Sequence, residues 1–148
     1  MVELRTIDAD NFKECVDLKI SDAQKNFVAP NVYSLAQAWL YRDTAYPFAI
    51  YADGVMVGFI MLGYYAKQNG YTLWRFMIDE RFQRRGYGKE ALRLGIDYLV
   101  QTFAVKEVYT GFVQGNTAAE TLYTAVGFRR TGEMDGDVVG LRLDIPQG

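Results

Sequence analysis

The chain is 148 residues long, 50% hydrophobic, and carries a formal net charge of −2. One domain over residues 1–148 with a substantial core is expected, and the near-neutral balance excludes a basic nucleic-acid footprint. Histidine is absent; this excludes the usual zinc site and any Ser/His or Cys/His nucleophilic pair, and leaves proton transfer to Tyr, Asp, Glu, Lys or water.

In chain order, Met1 to Thr6 lacks the pattern of a signal peptide, so a cytoplasmic location is expected. Val2 to Ile7 alternates apolar and polar residues and predicts a strand. Asp10 is placed to cap a helix carrying Phe12, Cys15, Val16 and Lys19. Cys15 is the single cysteine, which rules out an internal disulfide; its helical spacing from Phe12 reads as core, with a reactive thiol as the alternative. Ser21 to Asn31 is polar, contains Pro30, and reads as a loop or broken helix. Ser34 to Tyr41 predicts a short helix with Leu35, Ala38 and Trp39 on one face.

Tyr46 to Ala52 and Val55 to Tyr65 read as strands joined by Asp53-Gly54, a type I′ hairpin signal. Val55 to Leu62 is apolar on both faces, as in a central strand. The apolar stretch Val55 to Ala66 is too short to span a bilayer as a helix, and no membrane association is expected. Gln68-Asn69-Gly70 predicts a second hairpin turn into Tyr71 to Ile78. A helix follows from about Gly86 to Thr102, with Leu92, Ile96, Leu99 and Phe103 at helical spacing. Val108 to Val113 predicts a strand. Thr117 to Ala125 predicts a helix with Ala119, Leu122 and Val126 inward, ended by Gly127 in the manner of a C-cap. Phe128 to Met134 and Val138 to Asp144 form closing strands around Asp135-Gly136-Asp137.

The most informative junction is Gln83-Arg84-Arg85-Gly86-Tyr87-Gly88, between the apolar run ending at Ile78 and the long helix. Glycines let backbone approach a ligand closely, and a helix start offers unpaired N–H groups and a positive dipole end, which suits a pyrophosphate. It is neither a Walker loop nor a full dinucleotide fingerprint. Downstream, Asn116 precedes a helix bearing Leu122 and Tyr123, and Gly127-Phe128 leads into a strand. Together the two segments resemble the acetyl-CoA signature of the GNAT superfamily of N-acetyltransferases. Gln83, Gly86 and Gly88 match its first motif, and Asn116, Leu122, Tyr123, Gly127 and Phe128 match its second. The order β-α-α-β-β-β-α-β-α-β-β is also the family's. The resemblance implies an α/β (α+β) fold in which helices cover both faces of a mixed, mostly antiparallel sheet of about seven strands.

Within that superfamily the chain looks most like bacterial spermine/spermidine (diamine) N-acetyltransferases. The residues behind this are Phe27 to Gln37, Ala49 to Tyr51, Val57 to Met61 and Arg75 to Glu80. Vertebrate-type polyamine enzymes resemble it less just before Phe76: acidic positions there are Trp74 and Arg75 in this chain. Thr72 stands where many relatives place a basic glutamate.

The resemblance implies acetyl-CoA as cofactor and attack of a neutral amine on its thioester. The N–H groups of Arg84 to Lys89, including Tyr87, would hold the pyrophosphate, with contacts from the Arg84, Arg85 and Lys89 side chains. The main chain of Phe76, Met77 and Ile78 would line a splayed strand, with Ile78 pairing to pantetheine and Phe76 N–H serving as oxyanion donor. Tyr123 would face the sulfur, and Asn116 would touch the cofactor, cap the helix at Thr117, or both. Asp22, Asp135 and Asp137 are candidates for the acceptor wall. The expected partner is a small-molecule amine, with spermidine or spermine foremost and a homodimer as the family's assembly. Another amine acceptor (antibiotic, amino acid or protein N-terminus) and a non-catalytic CoA-binding sensor are the alternatives.

Overall fold

The computed structural model describes residues 1–147. Its elements are β1 (Val2–Thr6), α1 (Phe12–Asp17), α2 (Asn31–Leu40), β2 (Ala45–Ala52), β3 (Val55–Tyr65), β4 (Gly70–Ile78), α3 (Tyr87–Phe103), β5 (Glu107–Val113), α4 (Thr117–Val126), β6 (Arg129–Asp135) and β7 (Val138–Asp144). Single 3-10 turns lie at Asp22–Gln24 and Glu80–Phe82. The element order is the expected one.

All seven strands join one sheet in the order β1-β2-β3-β4-β5-β7-β6. Every pairing is antiparallel except β4 with β5. The β2–β3 turn is type I′ in its dihedral signs, with φ of 51° at Asp53 and 84° at Gly54. β3 is buried nearly throughout, as its two-sided apolar pattern predicts.

Each face of the sheet carries its own core. On one face, Ala91, Leu92, Ile96 and Leu99 of α3 pack with Ile60, Leu62, Leu73 and Ile78, and α4 adds Tyr123. Full burial of a leucine such as Leu92 or Leu99 stabilises the fold by about 1.5–3 kcal/mol. On the other face, Cys15 and Leu18 join Ala38, Phe59, Met61 and Met77. Burial pushes the Cys15 thiol up to about 12, with Glu14 adding to the shift. The thiol is therefore protonated and enclosed, which settles it as core.

Three local readings need correction. The start of α1 is held by Asp8 rather than Asp10: the Asp8 carboxylate accepts the amides of Asp10 and Asn11 at 2.8 and 3.1 Å, and Phe12 is half exposed. α2 begins directly after Pro30, whose fixed φ suits a helix start and whose missing N–H costs nothing there. Its buried face is Asn31, Ser34 and Ala38; Trp39 turns outward at 67% exposure, under the Arg42 guanidinium. Asn31 is buried because its amide donates to the Cys15 carbonyl at 2.9 Å, tying α2 to the end of α1.

Candidate active site

The site begins where β4 and β5 part. Their parallel pairing is limited to Thr72 with Tyr109. Two threonines close that end: Thr72 Oγ1 donates to the Tyr109 carbonyl at 2.9 Å and Thr110 Oγ1 to the Leu73 carbonyl at 3.0 Å. Immediately beyond, β4 bulges. Met61 opposes Arg75 while Leu62 opposes Leu73, leaving Trp74 as the extra residue. From there the two strands diverge, and an open cleft of about 1710 Å³ runs between them to the start of α3.

The direction of the β4 peptides follows from its ladder with β3. Asp79 N–H donates to the Val57 carbonyl at 2.8 Å, so that peptide faces β3. Alternation along the strand turns the main-chain groups of Ile78 and Phe76 the opposite way, into the cleft. Met77 by the same alternation faces β3 with its main chain, and its side chain joins the α1–α2 core. The Ile78 carbonyl accepts the Gln83 side-chain amide at 3.0 Å, which anchors the loop to the strand end.

That loop is built to present N–H groups. Arg84 and Gly86 both adopt left-handed backbone, with φ of 65° and 82°. A side chain at Gly86 would meet nothing within 4 Å, so the glycine serves the conformation rather than the space. Gly88 serves closeness instead: a Cβ there would sit 3.3 Å from Phe76 and 3.4 Å from Leu122. The first intrahelical bond of α3 reaches back from Glu90 to Gly86, so the amides of Tyr87, Gly88 and Lys89 remain free for an anion. Arg84 and Lys89 line the cleft. Arg85 does not; its guanidinium lies 5.7 Å from the Phe82 ring centre. The expected Arg85 contact to a phosphate would need the guanidinium to swing off that ring. The remaining donors fit a diphosphate.

Tyr123 lines the cleft from α4, 7% exposed and edge-on to Phe128 at 5.7 Å between ring centres. Loss of solvent pushes its pKa up, and the Thr110 hydroxyl opposes the shift. Asn116 is the helix cap: its Oδ1 accepts from Ala119 N–H at 3.3 Å. The same oxygen accepts from Gln24 of the early loop at 3.2 Å, so the loop crosses the cleft to reach α4.

One acceptor-wall expectation is corrected. Asp22 stands outside the cleft, 93% exposed and paired with Lys25 at 2.8 Å, because the 3-10 turn points it to solvent. Asp137 stands at the tip of the last hairpin, its carbonyl accepting from Gln114 N–H at 2.7 Å, while Asp135 lines the cleft. Thr72 is committed to its bond with β5.

Asp79 is a residue the motif reading passed over. It is almost fully buried and accepts from Lys19 N–H at 2.8 Å, Arg81 N–H at 2.9 Å and Arg81 Nε at 2.9 Å. Burial pushes its pKa up, but the Arg81 side chain and these two amides outweigh that, and it titrates below its ordinary value. It fixes the early loop against the end of β4. An Asp directly after an apolar run and before a turn was its visible signal.

Comparison with known proteins agrees with this geometry. A spermine/spermidine N(1)-acetyltransferase of Bacillus subtilis is 31% identical over 143 residues, covering 90% of this chain and 91% of that protein. The human N-acetylaspartate synthetase is 32% identical over 100 residues, 64% of this chain and 32% of that protein. The crystal structure of a Vibrio cholerae spermidine N-acetyltransferase in complex with CoA and spermine superposes with a TM-score of 0.75 at 15% identity, covering 97% of this chain and 95% of that one. Residues 12–128, from the first residue of α1 to the residue before β6, match a single family. This chain belongs to the acetyltransferase (GNAT) family, whose acetyl donor is acetyl-CoA.

Proposed function

We propose that the protein transfers acetyl from acetyl-CoA to the primary amine of a small acceptor, by direct attack with both molecules bound. The observation that carries this reading is the β4–β5 divergence, with the Phe76 and Ile78 peptides turned into it and free amides at the α3 start. Acetyl-CoA, when bound, supplies an acetyl group activated as a thioester.

The residues divide the work. The amides of Tyr87, Gly88 and Lys89, with Arg84 and Lys89, hold the diphosphate. Ile78 offers an N–H to an extended amide chain, as a neighbouring strand would. Phe76 N–H is aimed where negative charge develops on the acetyl oxygen, and one such donor contributes about 3–4 kcal/mol of barrier lowering. Tyr123 donates a hydrogen bond toward the departing sulfur. Its ordinary pKa near 10 already exceeds a thiol's of about 8.5, and burial raises it further. The phenol thus stabilises a thiolate without giving up its proton.

The acceptor arrives mostly protonated. An alkylamine with a pKa near 10.4 is about one part in a thousand neutral near pH 7.4, a cost of about 4 kcal/mol. With no histidine in the chain, water passes that proton to a carboxylate or to solvent. The Bacillus subtilis relative supports a polyamine as acceptor. The human relative, whose name states an amino-acid product, supports an amine that bears carboxylates.

The test is thiol release from acetyl-CoA across a panel of polyamines, monoamines, amino acids and peptides, beside a thermal shift with acetyl-CoA alone. Amine-dependent thiol release supports transfer. Stabilisation by acetyl-CoA with no release from any amine identifies a sensor and ends the transferase reading.

A further inference from the structure

Arg75 is a cation without an anion. It occupies β4 beside Phe76 and lines the cleft together with Gln37 of α2 and Tyr65 of β3. Its Nη1 donates to the Trp74 carbonyl at 2.9 Å and its Nη2 to Gln37 Oε1 at 3.0 Å. Both acceptors are neutral, so they orient the guanidinium without cancelling its charge. Its Nε is buried and has no hydrogen-bond partner. Among the described residues, no carboxylate forms an ion pair with it. Burial draws its pKa down, and only the Tyr33 and Tyr65 phenols oppose that shift.

A half-buried guanidinium with an enclosed, unpartnered N–H is costly unless something pairs with it. The other cations in the cleft have different duties. Arg84 and Lys89 stand at the α3 start, Arg129 donates to the Thr124 and Phe128 carbonyls at the end of α4, and Arg130 and Arg142 pair with Glu120 and Asp144. The acidic residues of the lining, Glu133, Asp135 and Asp144, belong to β6 and β7 in the other half of the sheet. The β3–β4 turn adds Lys67, a further positive charge, to the same cleft lining. Gln37 spends its oxygen on Arg75, which leaves its amide N–H groups to donate alongside the guanidinium. A planar cation flanked by an amide donor matches a carboxylate and repels an ammonium.

We propose that Arg75 and Gln37 form a carboxylate subsite, so that the acceptor is an amine that also carries a carboxylate, of the amino-acid class. Arg75 sits one residue before the amide that faces the reacting acetyl group. On this proposal a short acceptor places its amine at the thioester and its carboxylate at the Arg75 guanidinium. This inference rests on the acetyl-transfer reading and names its substrate class.

The experiment compares kcat/KM for amino acids with acidic, neutral and basic side chains, each beside its primary amide, and for spermidine and 1,4-diaminobutane. For at least one amino acid, the acid is expected to exceed its amide by about tenfold or more. Arg75→Gln and Arg75→Lys should erase that ratio while leaving acetyl-CoA affinity within about twofold, a split that a merely structural arginine would not show. In the parent protein, the Arg75 Nε–Hε resonance should shift saturably with the preferred amino acid and not with its amide. Acids and amides used equally, or spermidine outpacing every amino acid, overturn the carboxylate subsite and leave acetyl transfer standing. If acetyl-CoA binds and no amine releases thiol, the transferase reading fails instead. The Arg75 resonance then decides the subsite by itself: a carboxylate-dependent shift upholds it and a flat titration overturns it.

Discussion

At the scale of single residues, the site depends on what each group is prevented from doing. Burial raises the Tyr123 pKa, so the role proposed for its hydroxyl is one donated hydrogen bond rather than proton transfer. Tyr123→Phe keeps the ring and its edge-on contact with Phe128. We expect kcat to fall about 100-fold with acetyl-CoA affinity nearly unchanged; equal kcat in both proteins would reduce Tyr123 to packing. Gly86 sits at a φ of 82°, a left-handed backbone that side-chain-bearing residues adopt only with strain. A β-branched residue there must leave the left-handed region and take the flanking amides with it. Gly86→Val should weaken acetyl-CoA by more than about tenfold, or 1.4 kcal/mol, in calorimetry on a folded variant.

The element scale shows where sequence reading succeeds and where it stops. The Gln83 to Gly88 junction and the Asn116–Tyr123 helix were legible because the chemistry of each is local: glycine geometry, a cap, a helix start. The family resemblance implied a splayed strand but not its bulge at Trp74, since no glycine or proline marks that position and its cause is the pairing partner in β3. Trp39 and Asp22 were misplaced for a related reason: helical spacing and chain order do not say which side a short segment turns. The role of Asp79 was hidden because its partner, the Lys19 amide, is 60 residues away.

Asp79 also makes the early loop a pH-sensitive element. Its folded pKa is depressed, so the stability it contributes is present above its unfolded value of about 3.9 and lost as pH falls through the lower folded one. Asp79→Ala should cost about 2 kcal/mol at neutral pH. The difference between variant and parent should shrink in urea melts as pH drops below about 4. A gap that stays constant with pH would show that the carboxylate's charge is not what holds Lys19.

For the whole molecule, the element order was readable from the alternation of strand and helix patterns, the sheet with helices on both faces was what the family resemblance implied, and the structure shows both. What no local pattern announced is how little main chain joins the two halves. β1 to β4 form one ribbon and β5, β7 and β6 another, with the Thr72–Tyr109 pair between them. Helix α3 spans from β1 to α4 and keeps the halves together by packing.

Seen as a load path, that seam is an arch without its central stone, and a cofactor laid along β4 would be the stone. Amide hydrogen exchange should therefore slow most at Phe76 and Ile78 and along β5 when acetyl-CoA is added, with β1 and β2 barely affected. At a hundredfold excess over Kd the linkage is about 2.7 kcal/mol, equivalent to a rise in Tm of about 5–10 °C for a chain of this size. Protection spread evenly over all strands would mean that the two ribbons already behave as one sheet. If the seam behaves as described, the unliganded protein breathes as two ribbons, and acetyl-CoA both feeds the reaction and completes the structure that performs it.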